Sequence, residues 1–135
     1  MIDPENIPAV DSKEMLARFI LSKSYFRADK TLKPNAFMPP SNLLLSVTRH
    51  RDALDKEIWD IGQDIASTQG RTLYGRGDLQ ASTCIENGLN VQAEPVPGNP
   101  NHADISNWPS GIPEQKIIAL ELAVNAVYIS RKPQD

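Results

Sequence analysis

The sequence predicts a small α+β domain with about three short strands and three to four helices. Three observations lead there. Leu54, Ile58, Ile61 and Ile65 recur at helical spacing, with Glu57, Asp60 and Asp64 on the opposite side. Residues 43–50, LLLSVTRH, form a short apolar run bounded by Pro40 and a helix start, as a strand does. LNVQAE, beginning at Leu89, alternates apolar and polar positions and reads as a second strand.

At 135 residues, 40% hydrophobic and 23% charged, the chain can bury one core without metal or disulfide staples. The expected organisation is a flexible N-terminal arm over 1–11, one domain over 12–129 and a frayed tail over 130–135. The arm holds two prolines and no periodicity. Asp11 and Glu14 have capping-box spacing ahead of Met15, Leu16, Phe19 and Ile20, which predicts a first helix over about residues 12–22. Residues 23–41 carry Pro34, Pro39 and Pro40 and read as an irregular connection whose Phe37 and Met38 turn inward.

After the strand at 43–50, Asp52 is the expected cap of the second helix and Gly70 its C-terminal stop. GRTLYGRGD, residues 70–78, reads as a glycine-shaped turn. Residues 78–88 have two readings: a hairpin about Asn87-Gly88, or a helix closed by Gly88, preferred because it uses both ends as caps. HADI, at 102–105, is long enough only for a short strand. Pro113 suits a helix N1 position, and the last helix is expected over 113–128.

Composition excludes several functions. A net charge of −3 argues against nucleic acid as the main partner, and no apolar run approaches the roughly 18 residues of a membrane span. The N-terminus has no leader pattern, so a cytoplasmic setting is expected. The single Cys84 permits neither an internal disulfide nor a cysteine-rich zinc site, and no metal or cofactor is expected.

Chemistry concentrates in a few places. His102 and Asp104, two apart in an extended segment, project to one side, where the carboxylate can orient the imidazole. Their bland reading is hydrogen bonding to a proline-interrupted loop. His50, between Arg49 and Arg51 at a strand-to-helix junction, is the second acid/base candidate. Arg49, Arg76 and Tyr74 are candidate anion contacts, although GRTLYGRGD does not complete a P-loop. Cys84, among small and apolar neighbours, reads as a buried hydrophobe. Trp59, Trp108 and Phe37 are the interface candidates, with the core edge as the competing reading for the tryptophans.

LARFI, KPNAF, LSVTR, IWDIG, YGRGD, GLNV and HADISNWP together span most of the chain. In these motifs it resembles a set of short uncharacterised bacterial proteins. The resemblance implies a bacterial origin and a self-contained domain, and brings no activity. Two functions compete. One is a non-catalytic accessory protein that binds a partner protein in the bacterial cytosol. The alternative is a small enzyme or ligand-binding domain for a phosphate-bearing substrate, nucleotide or nucleic acid, acting through His50, His102 and Asp104.

Overall fold

The computed structural model describes residues 1–131. One six-stranded antiparallel sheet contains β1 (Met15–Ile20), β2 (Leu45–Arg49), β3 (Gly75–Gln80), β4 (Asn90–Ala93), β5 (His102–Ser106) and β6 (Val127–Ser130). Their spatial order is β4-β5-β2-β1-β3-β6. The described residues form three helices, α1 (Asp55–Thr68), α2 (Ala81–Glu86) and α3 (Ile112–Asn125), and two 3-10 turns between β1 and β2, at Lys23–Tyr25 and Pro34–Phe37. The expectation of about three strands is overturned. β2, β4 and β5 lie in segments that read as strands, whereas β1, β3 and β6 do not.

Each additional strand has its own physical cause. The helix expected over 12–22 is replaced by β1, which is central and buried on both faces: Leu16 and Ile20 face one side, Ala17 and Phe19 the other. Burial on both faces removes the alternation that marks a strand and leaves a pattern that imitates a helix. The Asp11/Glu14 bonds do form, with Asp11 N donating to Glu14 Oε2 at 2.7 Å and Glu14 N to the Asp11 carbonyl at 3.0 Å. They close a turn that leads into a strand.

The glycine-rich segment expected to turn is β3 from Gly75 onward. A Cβ at Gly75 would meet the Ile129 carbonyl and lie 2.7 Å from the Tyr128 ring, so glycine is what lets β6 lie alongside. The helix expected over 113–128 stops at Asn125; Ala126 is extended (φ −84°, ψ 146°) and the chain returns as β6. Of the frayed tail, Ser130 belongs to β6, Arg131 N donates to the Tyr74 carbonyl at 2.8 Å, and residues 132–135 lie outside the described residues.

Residues 81–86 are helical, and Gln80, not Asp78, precedes them. Gly88 (φ +81°) ends the helix, with Leu89 N donating to the Cys84 carbonyl at 3.0 Å. α1 begins at Asp55, three residues beyond Asp52, because Glu57 Oε1 accepts from Leu54 N at 2.9 Å. Its Ile58, Ile61 and Ala66 pack on Ala17 and Phe19. The other face carries the larger core, where Leu16, Ile20, Leu79 and Ile105 meet Phe37, Ala119 and Leu122. The arm is held against the body: Arg51 donates to the Asn6 carbonyl at 2.6 Å and the Asp3 carbonyl at 3.0 Å. No described helix is long and apolar enough to cross a membrane.

Two measurements check this packing. Gly75→Ala is expected to lower stability by about 1–3 kcal/mol through overpacking, with amide-exchange protection lost first over Val127–Ser130. Burial pushes the Cys84 thiol up from 9.0 to about 12. Between those pH values the unfolded chain gives up the proton that the folded one keeps. The thiol's contribution is therefore full below pH 9 and is lost as pH rises through that window. Iodoacetamide at pH 9 should label the folded protein roughly a thousandfold more slowly than the urea-unfolded chain.

Candidate functional site

On the face that meets α1, sheet register brings together a polar set from β2 and β5. Thr48 pairs with His102 and Ser46 with Asp104, and the two-residue period turns all four to that side. β1 and β2 pair only at Leu16–Arg49 and Ala17–Thr48. Beyond that point Arg18 bridges them, its Nε donating to the Ala36 carbonyl and its Nη1 to the Ser46 carbonyl, both at 3.0 Å. Beside it opens a cleft of about 300 Å³, with Arg18, Arg71 and His102 on its polar walls and Phe19, Leu21 and Ile65 on its apolar ones. Desolvation holds the Arg18 guanidinium below the ordinary arginine range.

The two histidines have different hydrogen-bond partners. His102 Nδ1 donates to the Glu94 carbonyl at 2.7 Å, and its Nε2 stands 3.6 Å from Asp104 Oδ1, beyond good hydrogen-bond length. His50 Nε2 instead donates to Asp78 Oδ1 of β3 at 3.0 Å. Asp78 also accepts from Arg76 Nε at 3.2 Å, and Arg76 Nη2 reaches Asp55 Oδ1 at 2.8 Å. The Arg76 guanidinium lies 4.6 Å from the centre of the Trp59 ring, whose Nε1 donates to Asp55 Oδ2 at 3.1 Å. These bonds, led by that from Arg76, hold the Asp55 carboxyl below its ordinary value. Arg76 Nη1 is buried with no hydrogen-bond partner among the described residues; the guanidinium charge is offset by Asp78 and Asp55, with the Trp59 face adding to them.

Arg49 does not face an anion site. It is fully buried and forms a two-pronged pair with Glu14, Nε–Oε1 and Nη2–Oε2 both 2.7 Å, while Nη1 donates to the Pro8 carbonyl at 2.8 Å. Asn101 supplies what the bracketing prolines cannot: its Nδ2 donates to the Arg49 and Arg51 carbonyls at 2.9 and 2.7 Å, and its Oδ1 accepts from Arg51. Tyr74 is half-buried beside Phe26, ring centres 5.8 Å apart, and its carbonyl accepts from Tyr128 Oη at 3.1 Å.

Of the three interface candidates, Phe37 and Trp108 are buried, Trp108 Nε1 donating to the Ile105 carbonyl at 3.0 Å. Trp59 is half-buried over Arg76. The exposed apolar surface lies elsewhere, on α3: Ile117, Leu120 and Val124 are 67%, 46% and 72% exposed. Beside them runs an open groove of about 530 Å³, floored by Met38, Ile117 and Leu120 and edged by Arg27, Lys33 and Lys116. Among the described residues no group of three or more His, Cys, Asp or Glu side chains could hold a metal ion.

Sequence reasoning missed Arg18, Arg71 and the outer stripe of α3. Arg18 had a visible signal, a lone cation inside the apolar run MLARFI. Comparison with family models, curated proteins and solved structures found no match.

The Arg49–Glu14 pair yields a prediction. Glu14→Ala strands a buried cation and is expected to destabilise by about 3–5 kcal/mol. In urea unfolding, Arg49→Met added to Glu14→Ala should recover part of that loss, since the apolar chain needs no counter-charge.

Proposed function

We propose that the protein is a non-catalytic interaction protein of the bacterial cytosol, and that it binds an acidic, amphipathic segment of a partner protein along the groove beside α3. The bacterial setting rests on the motif resemblance, and the cytosolic one on a composition with a single cysteine. The observation that carries the reading is the stripe Ile117, Leu120, Val124. These residues lie three and four apart, on one side of α3, and each is about half exposed or more. A helix normally turns such a stripe inward. Here the inward positions are taken by Gln115, Ala119, Leu122 and Ala123, so the outer apolar residues serve no internal packing.

The chemistry of the occupant follows from charge. Arg27, Lys33 and Lys116 edge the groove, and no carboxylate lines it; Glu114 and Glu121 of α3 are not among its walls. On a chain of net charge −3, three cations about one apolar floor favour a segment that presents apolar residues between acidic ones. A second copy of this chain is disfavoured, since groove-to-groove pairing would set the same cations against each other. His50 is committed to Asp78 and His102 to the Glu94 carbonyl, so neither imidazole hydrogen-bonds the other's partner, and the phosphate-directed enzyme is the second reading.

The test places a photo-crosslinking amino acid at position 117 and identifies the joined peptide by mass spectrometry after irradiation in host lysate. The expected peptide comes from another protein and carries acidic residues among apolar ones. Leu120→Asp and Lys116→Glu should each reduce its yield about tenfold or more while thermal stability stays unchanged. A joined peptide from this same chain, a basic peptide, a yield indifferent to Leu120→Asp, or no joined peptide at all would overturn the reading.

A further inference from the structure

The cleft between β1, β2 and α1 is separate from the α3 groove and asks for different chemistry. Arg18 enters it from the middle of a central strand. Two of its nitrogens are spent on the Ala36 and Ser46 carbonyls. Nη2 makes no hydrogen bond among the described residues, and the Arg18 side chain, partly exposed, lines the cleft. Carbonyl oxygens orient a guanidinium but leave its charge uncompensated, and a half-buried cation without a counter-charge is a cost the fold carries. None of the ion pairs among the described residues includes Arg18.

The surroundings repeat the same sign. Arg71 lines the cleft, and its exposed side chain has no hydrogen-bond partner among the described residues. His102, Gln69 and the hydroxyl-bearing Tyr25, Ser46 and Thr48 complete the polar walls, and no Asp or Glu lines the cleft. Asp104 approaches His102 at 3.6 Å but is not part of the lining. Phe19, Leu21, Val47 and Ile65 form the apolar walls. A volume of about 300 Å³ is at the lower end of small-molecule sites.

We propose that this cleft binds a small organic anion, its charged oxygens on Arg18 Nη2 and the Arg71 guanidinium and its short apolar body against Phe19, Leu21 and Ile65. The shared chemistry is an oxyanion head on a compact apolar stem, which a carboxylate or a phosphate monoester supplies equally. Arg18 offers one free nitrogen, so it gives a single directed bond. Arg71 keeps its whole donor fork, and the planar two-pronged contact falls to it. Binding at this site is independent of any partner on α3.

The probes are sodium benzoate, phenyl phosphate and inorganic phosphate, with benzyl alcohol as the neutral control, titrated into the isotope-labelled full chain and followed by NMR. Saturable shifts are expected for benzoate or phenyl phosphate at the Arg18 side-chain Nε–H and at the Tyr25 and Thr48 amides, with the stronger of the two naming the head group. Inorganic phosphate should bind more weakly than phenyl phosphate because it leaves the apolar wall unused. Arg71→Gln, at an exposed position that does not endanger folding, should weaken binding about tenfold or more. The inference is overturned if neither organic anion saturates, if benzyl alcohol binds equally well, if inorganic phosphate matches phenyl phosphate, or if Arg71→Gln changes nothing. Leu120→Asp must leave these titrations unaltered, which separates failure here from failure of the groove.

Discussion

Arg49 carries its guanidinium into the interior with no exposed surface, and the chain around it is arranged to make that tolerable. An unpaired buried cation costs several kcal/mol, so the fold must bring it a carboxylate and enough acceptors. Glu14 provides both oxygens from the residue just before β1, and the Pro8 carbonyl fills a further donor from the arm. One side chain thus fixes where β1 begins, where β2 ends and how residues 8–14 approach them. Asn101 completes the corner by bonding the Arg49 carbonyl, and Arg49 N in turn donates to the Asn101 carbonyl at 2.8 Å. This explains why NPNHADISNWP begins with asparagines between prolines: side-chain amides take over hydrogen bonds that the interrupted ladder cannot make.

With that corner fixed, the two faces of the sheet acquire different work. One packs apolar against α2, α3 and the Pro34–Phe37 turn, and Gly77 leaves the room there into which Leu32 and Phe37 reach. The other is mixed. Near β1 and β3 it holds the Arg76–Asp78–His50 network under Trp59, and near β2 and β5 it holds Thr48, His102 and Asp104. A buried polar network of this kind favours one arrangement because most of its donors and acceptors are committed to one another, Arg76 Nη1 excepted. His50 is held in such a network, whereas Arg71 and the Arg18 Nη2 have no hydrogen-bond partner among the described residues, and that difference is what distinguishes the cations of the proposed anion cleft.

How much of this was legible in the sequence depended on burial. α1 was readable because one of its faces meets solvent and its apolar stripe stands out against Glu57, Asp60 and Asp64. β4 and β5 were readable because each alternates. β1 was not, because a central strand covered on both faces shows Leu16, Ala17, Phe19 and Ile20 as a block. β3 was hidden by its own function in packing: Gly75 and Gly77 look like a turn until the atoms that occupy their missing side chains are known, and Arg76 and Asp78 look like a surface until each is seen to be the other's partner. The site was legible residue by residue and not as a set. His102 with Asp104 and His50 with its arginines stood out by type. That His50 answers to Asp78, and that Arg18 and Arg71 line one cleft, are facts of tertiary placement that no local pattern encodes.

The net charge of −3 conceals a segregation that gives the surface its character. α1 exposes Asp60 and Asp64, while Arg27, Lys33 and Lys116 gather at the α3 groove and Arg18 and Arg71 at the cleft. At physiological ionic strength fields decay over about 8 Å, so a ligand in either depression meets the local cations and not the chain's total charge. The two depressions then differ in what holds their occupant. In the groove the floor is apolar and the cations stand at the rim, so burial supplies the affinity and charge sets orientation and selectivity. In the cleft a cation sits within, half-shielded from water, so for the proposed anion charge itself would supply the affinity and the small apolar walls would limit the size of what enters.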